Sequence, residues 1–101
     1  SGRIEAPVIL VYPASSTSID LSGKLVCLEN ADPGFDWIFT KNIAGLITKY
    51  GGTNSHMAIR CVEFGLPAAI GCGEQAFSQI VTASTVELDL TQNTLRPVHV
   101  H

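Results

Sequence analysis

Leu46-Ile47-Thr48-Lys49-Tyr50-Gly51-Gly52-Thr53-Asn54-Ser55-His56-Met57-Ala58-Ile59-Arg60 reads as a buried strand, a turn built on glycine, and a helix whose first turn carries a histidine. Gly51-Gly52 permits backbone angles that residues with side chains resist. Asn54 or Ser55 then supplies a side-chain oxygen to cap the first amides of the helix. The helix is expected to stop near Gly65, a residue suited to the left-handed position after a helix, and Pro67 bars any continuation. His56 thereby falls where unpaired N–H groups and the positive end of the helix dipole converge. Such a place suits an anion.

At about 100° per residue, His56, Arg60 and Glu63 share one narrow stripe of that helix. Met57, Ala58, Ile59, Cys61, Val62 and Phe64 fill nearly all the remaining circumference, so the helix is expected to be largely buried with one polar stripe. A lone histidine on such a stripe is ordinarily a solvated side chain. Here the Gly-Gly turn, the cap and the Arg60 spacing coincide with it, and a chemical role becomes the better reading.

Outward from this unit the chain alternates strands and helices. Upstream, Val8-Ile9-Leu10-Val11-Tyr12 and Lys24-Leu25-Val26-Cys27-Leu28-Glu29 read as strands, separated by the turn-rich Pro13-Ala14-Ser15-Ser16-Thr17-Ser18. Asp32-Pro33 opens a short helix with an acidic cap and proline at the first helical position, and Phe35, Trp37, Ile38 and Phe39 pack it on a sheet. Asp20, Asp32 and Asp36 are read as caps or loop residues. Ile43-Ala44-Gly45-Leu46-Ile47 is nearly continuous in apolar residues, as expected of a strand covered on both faces. Ala68-Ala69-Ile70-Gly71 continues the sheet beyond the helix, giving a strand–helix–strand unit with its turn at the carboxyl edge, where open α/β folds bind ligands. Glu74-Gln75-Ala76-Phe77-Ser78-Gln79-Ile80 reads as a second short helix. Val86-Glu87-Leu88-Asp89-Leu90 alternates apolar and acidic residues and turns through Thr91-Gln92-Asn93 into Thr94-Leu95-Arg96-Pro97-Val98, a terminal hairpin.

The 101 residues suffice for one domain with a modest core. With 46% hydrophobic and 15% charged residues the chain is neither disordered nor built to span a membrane. A net charge of −3 without a Lys/Arg cluster argues against nucleic acid as a partner. No signal peptide is visible. Cys27, Cys61 and Cys72 form no C-x-x-C pair and sit in apolar settings, which suits buried free thiols in a reducing cytoplasm. His56 and Cys61 point about 140° apart around their helix, so the two do not share a metal ion, and no metal site is expected. His99 and His101 are read as a frayed terminus. Nucleotide loops of the G-x-x-x-x-G-K-S/T and G-x-G-x-x-G types are absent, and Ser55 is too near His56 in sequence to act with it as a nucleophile–base pair.

Gly51-Gly52-Thr53-Asn54-Ser55-His56-Met57-Ala58-Ile59, followed by Glu63-Phe64-Gly65-Leu66-Pro67-Ala68-Ala69-Ile70-Gly71, resembles the phosphohistidine, or swivelling, domain of phosphoenolpyruvate-utilising enzymes. That family includes the pyruvate phosphate dikinases, phosphoenolpyruvate synthases, rifampicin phosphotransferases and the first enzyme of the sugar phosphotransferase system. The specific match runs from about Ala44 to Gly73. The resemblance implies a swivelling β/β/α domain of the α/β class, a small mixed sheet packed with a few helices and a reactive histidine at a helix N-terminus. It implies that residues 1–101 form one such domain, excised from a longer cytoplasmic multidomain enzyme. His56 would be the phosphoryl carrier, with Gly52, Thr53, Asn54, Ser55 and Arg60 around the phosphoryl group. The partners implied are other domains of the same polypeptide: an ATP-grasp kinase domain and a phosphoenolpyruvate/pyruvate-binding domain. Mg²⁺ and ATP are expected there, and no cofactor here.

The chain departs from the family at two places. Asn54 stands where the dikinases usually have a threonine, which in some of them is phosphorylated in regulation, so control of that kind is not expected. Val62 stands where an arginine is common, and Arg60 lies two residues earlier. The chemistry itself asks for a neutral ring nitrogen facing phosphorus, which a helix N-terminus favours, and for donors that stabilise the transferred oxygens. Two other readings stay open: a docking or regulatory module that kept the fold without the shuttle, and the histidine domain of an antibiotic phosphotransferase.

Overall fold

The computed structural model describes residues 3–12, 18–30, 32–52, 55–89 and 94–98. Thr53, Asn54, the greater part of the Pro13–Ser18 stretch, Leu90 with the turn after it, and His99 and His101 lie outside these residues, and with them the readings made there.

Six strands form one mixed sheet: β1 (Arg3–Leu10), β2 (Leu25–Leu28), β3 (Gly45–Thr48), β4 (Ala68–Ala69), β5 (Thr85–Asp89) and β6 (Thr94–Val98), in the order β4-β3-β2-β1-β5-β6. β1 to β4 are mutually parallel, while β5 pairs antiparallel with β1 and with β6. A 3-10 helix (Pro33–Thr40), α1 (His56–Phe64) and α2 (Glu74–Val81) complete the α/β fold expected of a swivelling domain.

β2 and β3 are buried at every position because helices cover both faces. Alternation then sorts their side chains. Val26, Leu28 and Leu46 join Phe35, Ile38, Met57 and Cys61 beneath the 3-10 helix and α1. Leu25, Cys27 and Ile47 join Phe77, Ile80 and Val86 beneath α2. The terminal hairpin forms as expected, with Val86, Leu88 and Asp89 buried.

β1 begins five residues earlier than its apolar run. Its first half, Arg3–Pro7, pairs with β5, and only Val8–Leu10 pair with β2. Charged residues and Pro7 disguise that first half as loop, but proline is tolerated where a strand's N–H is not needed.

Among the described residues the three cysteines are free, and burial pushes the Cys27 thiol up to about 12 and the Cys61 thiol to about 11 from an ordinary 9.0. Unfolded thiols therefore shed their protons first as pH rises. The stabilisation is complete below pH 9 and is lost progressively towards pH 11 to 12. We expect the unfolding free energy from urea titration to hold from pH 7 to 8.5 and to fall by pH 10, on the order of 1 kcal/mol per pH unit for each buried thiol. Cys27→Ala combined with Cys61→Ala should flatten that alkaline limb.

Candidate active site

Thr48, fully buried, ends β3 at the carboxyl edge of the parallel strands, and the loop behind it is held from both sides. Lys49 N and Tyr50 N donate to Leu28 O at 3.0 Å and Glu29 O at 2.9 Å. Cys72 N and Gly73 N donate back to Thr48 O and Lys49 O at 2.9 and 3.0 Å, and Gly71 N donates to the Thr48 hydroxyl at 2.9 Å. Gly51 has φ 124°, a conformation that side chains resist, whereas Gly52 does not use the left-handed region. Ser55 N donates to Gly52 O at 3.0 Å, which closes the turn into the helix.

Ser55, rather than Asn54, is the residue described as N-cap of α1, its hydroxyl oxygen accepting from Ala58 N at 3.3 Å. At the other end Gly65 adopts φ 65° as C-cap, as its sequence position predicts. His56 is the first residue of α1 and is exposed. Ser55, His56 and Arg60 are thus gathered at the helix start with Gly52 one turn before. Thr53 and Asn54 lie outside the described residues.

The helix is not largely buried. Only Met57 and Cys61 (i, i+4) are buried against the sheet, while Ile59 and above all Val62, 82% exposed, point outward and Phe64 lies half-exposed against the 3-10 helix. α1 rides on a two-residue seam, which the count of apolar residues around its circumference hides. The exposed side chains leave an apolar face on the element that carries the histidine.

Asp36 is the site residue that sequence reasoning missed. His56 Nε2 lies 2.8 Å from Asp36 Oδ1 and 2.9 Å from Oδ2. In a 3-10 helix residues i and i+3 eclipse. Phe35 and Ile38 therefore drop together into the core, and Asp36 and Phe39 together meet α1. Phe39 stacks on Phe64, ring centroids 5.3 Å apart. The Arg60 guanidinium lies over both rings, 4.9 Å from Phe64 and 5.9 Å from Phe39. Its Nη1 donates to Glu63 Oε1 at 3.3 Å, and its Nε sits 3.9 Å from Asp36 Oδ1. Asp32 and Asp20 are a cap and a loop acceptor, as read from sequence, accepting from Gly34 N and Ser22 N.

The arrangement is an imidazole, a carboxylate and a guanidinium converging on one spot beside the first turn of α1. Among the described residues no three His, Cys, Asp or Glu side chains come together as metal ligands, and a guanidinium beside Asp36 is the wrong neighbour for a cation. No helix among the described residues is long and apolar enough to cross a membrane.

Comparison with known proteins gives a family match over residues 19–93, to the model described as PEP-utilising enzyme, mobile domain. Phosphoenolpyruvate synthase of Neisseria meningitidis serogroup B is 30% identical over 89 residues, covering 84% of this chain and 11% of its own length. Phosphoenolpyruvate synthase of Escherichia coli K12 is 31% identical over 68 residues, covering 67% of the chain and 8% of its own length. Rifampicin phosphotransferase of Streptomyces sviceus is 30% identical over 80 residues, covering 79% of the chain and 9% of its own length. The chain spans about a tenth of these relatives.

Proposed function

Because the chain belongs to the mobile-domain family of PEP-utilising enzymes, we propose that it carries phosphoryl groups on His56. The phosphorylated ring would shuttle between an ATP-binding domain and a phosphoenolpyruvate/pyruvate-binding domain of the same polypeptide, with ATP and Mg²⁺ handled in those domains. The observation that carries the reading is an exposed histidine at the first position of α1, with the Arg60 cation one turn along. The helix N-terminus and Arg60 stabilise oxygens that arrive with phosphorus. Thr53 and Asn54 belong to the proposed cradle by their place in the sequence, with Gly52 and Ser55 beside them. We assign the reaction to a reducing cytoplasm, in keeping with three free thiols.

The relatives named above are long proteins, so the chemistry on either side of the carrier is assigned to other domains. The outward face of Ile59 and Val62 lies on the same helix as His56 and suits a partner that covers the ring during transfer. Val62→Asp should leave the unfolding midpoint unchanged and slow the labelling of His56 several-fold. Equal labelling rates would remove this face from the transfer surface.

The test uses the full polypeptide with labelled phosphoenolpyruvate, or with ATP labelled at the β or γ position. Label on the His56 peptide under alkaline conditions, chased onto pyruvate, supports the shuttle. Label from ATP that ignores pyruvate favours another acceptor. The similarity to a rifampicin phosphotransferase makes a drug the second candidate. No label from any donor favours a docking module.

A further inference from the structure

Both oxygens of Asp36 converge on one nitrogen of His56. An ionised carboxylate only accepts, so the hydrogen lies on Nε2 and the free lone pair of the neutral ring lies on Nδ1. In this arrangement Nε2 cannot attack phosphorus. The same carboxylate oxygen that touches Nε2 at 2.8 Å faces Arg60 Nε at 3.9 Å, so an anion already stands between the ring and the guanidinium. Yet the fit to the cation is poor. Arg60 Nε is buried and has no hydrogen-bond partner among the described residues, while Glu63 and the two phenylalanine rings hold the rest of the guanidinium in place. A buried donor without an acceptor is costly, and it marks a site shaped for something larger than this carboxylate.

We propose that Asp36 is a latch on His56 Nε2, standing in the position of the phosphoryl group and displaced by it, with Arg60 passing from the carboxylate to the phosphoryl oxygens. The inference rests on the phosphoryl-carrier reading. Asp36 is half-exposed, so its side chain can turn into water when it leaves. The ring then takes the tautomer with its hydrogen on Nδ1. The Nε2 lone pair forms the N–P bond, the P–O bond to the donor breaks with its electron pair on the donor's oxygen, and the Nδ1 proton passes to water. A tetrahedral phosphoryl group presents oxygens in directions a planar carboxylate does not, and one of them meets Arg60 Nε. Two anions cannot share the spot, so a bound Asp36 favours the empty carrier and shifts the equilibrium towards delivery of the group.

Asp36 is thus a positioning residue whose removal should shift an equilibrium in a direction that loss of structure would not. The full polypeptide, as wild type, Asp36→Ala, Asp36→Asn and Arg60→Ala, is equilibrated with one mixture of labelled phosphoenolpyruvate and pyruvate. The ratio of loaded to empty His56 is measured, and the nitrogen that bears phosphorus is identified by ³¹P NMR after alkaline denaturation. Asp36→Ala should raise the ratio by about three- to fivefold, the weight of a half-exposed ion pair. Asp36→Asn should raise it less, since its amide oxygen still accepts from Nε2–H. Arg60→Ala should lower the ratio, and phosphorus should be on Nε2. A ratio that is unchanged or lower in both Asp36 variants overturns the latch and leaves the carrier standing, as does phosphorus on Nδ1. No label on wild-type His56 overturns both.

Discussion

Replacing His56 with alanine is expected to abolish acid-labile, alkali-stable labelling of the chain and to leave its fold intact. The two halves of that expectation have separate causes. The side chain is 42% exposed and its contact with Asp36 is made in water, so little folding energy depends on it. The helix loses neither its Ser55 cap nor the Met57–Cys61 seam that seats it. Unfolding free energies should agree within about 1 kcal/mol. A covalent carrier has no substitute, however, and turnover of the full polypeptide should fall by about 10⁴-fold or more. The two measurements are label retained on the alkaline-treated chain and a urea unfolding curve. Label that persists in His56→Ala would move the reactive group elsewhere, with His99 and His101 the first residues to examine. Loss of label together with loss of folding would say nothing of chemistry, so His56→Asn, closer in polarity, should repeat the result.

What could be read from the sequence, and what could not, divides along a physical line. β2, β3 and the β5–β6 hairpin were legible because strand alternation and continuous apolar runs are local signals of burial. The Ser55 cap, the Gly65 stop and the exposed His56 were legible for the same reason, each being fixed within one helical turn. The burial of α1 was misjudged because periodicity shows which residues share a face, not how wide a surface waits to receive them. Only a two-residue seam meets the sheet here. The Asp36–His56 contact was illegible for two reasons. It joins residues 20 apart through tertiary packing, and it depends on the 3-10 pitch that brings Asp36 into line with Phe39. Read as an α-helix with Phe35, Ile38 and Phe39 inward, the segment offers no reason to aim Asp36 at another helix.

Gly71→Ala should damage both the fold and the labelling of His56, and the geometry states why. Gly71 has φ 71°, which favours glycine, and a Cβ there would collide with the carbonyl oxygen of Gly51. That carbonyl belongs to the turn that launches α1, and Gly71 N is bonded to the buried Thr48 hydroxyl, so neither loop can retreat without breaking a contact of the other. Gly23 offers the control: its φ is 72° and, among the described residues, nothing beyond its chain neighbours lies within 4 Å of its Cβ position. Gly23→Ala should thus cost only the backbone conformation, about 1 kcal/mol. Gly71→Ala adds the collision and should cost about 2–4 kcal/mol. It should also slow labelling of His56 in the molecules that remain folded, since the displaced Gly51 carries the start of α1 with it. Urea midpoints and labelling rates of the two variants decide the matter. Equal losses would mean that the loops part freely and that the turn before His56 is not braced. A larger loss in Gly71→Ala, accompanied by slower labelling, would tie the close approach of two glycines directly to the position of the reactive ring.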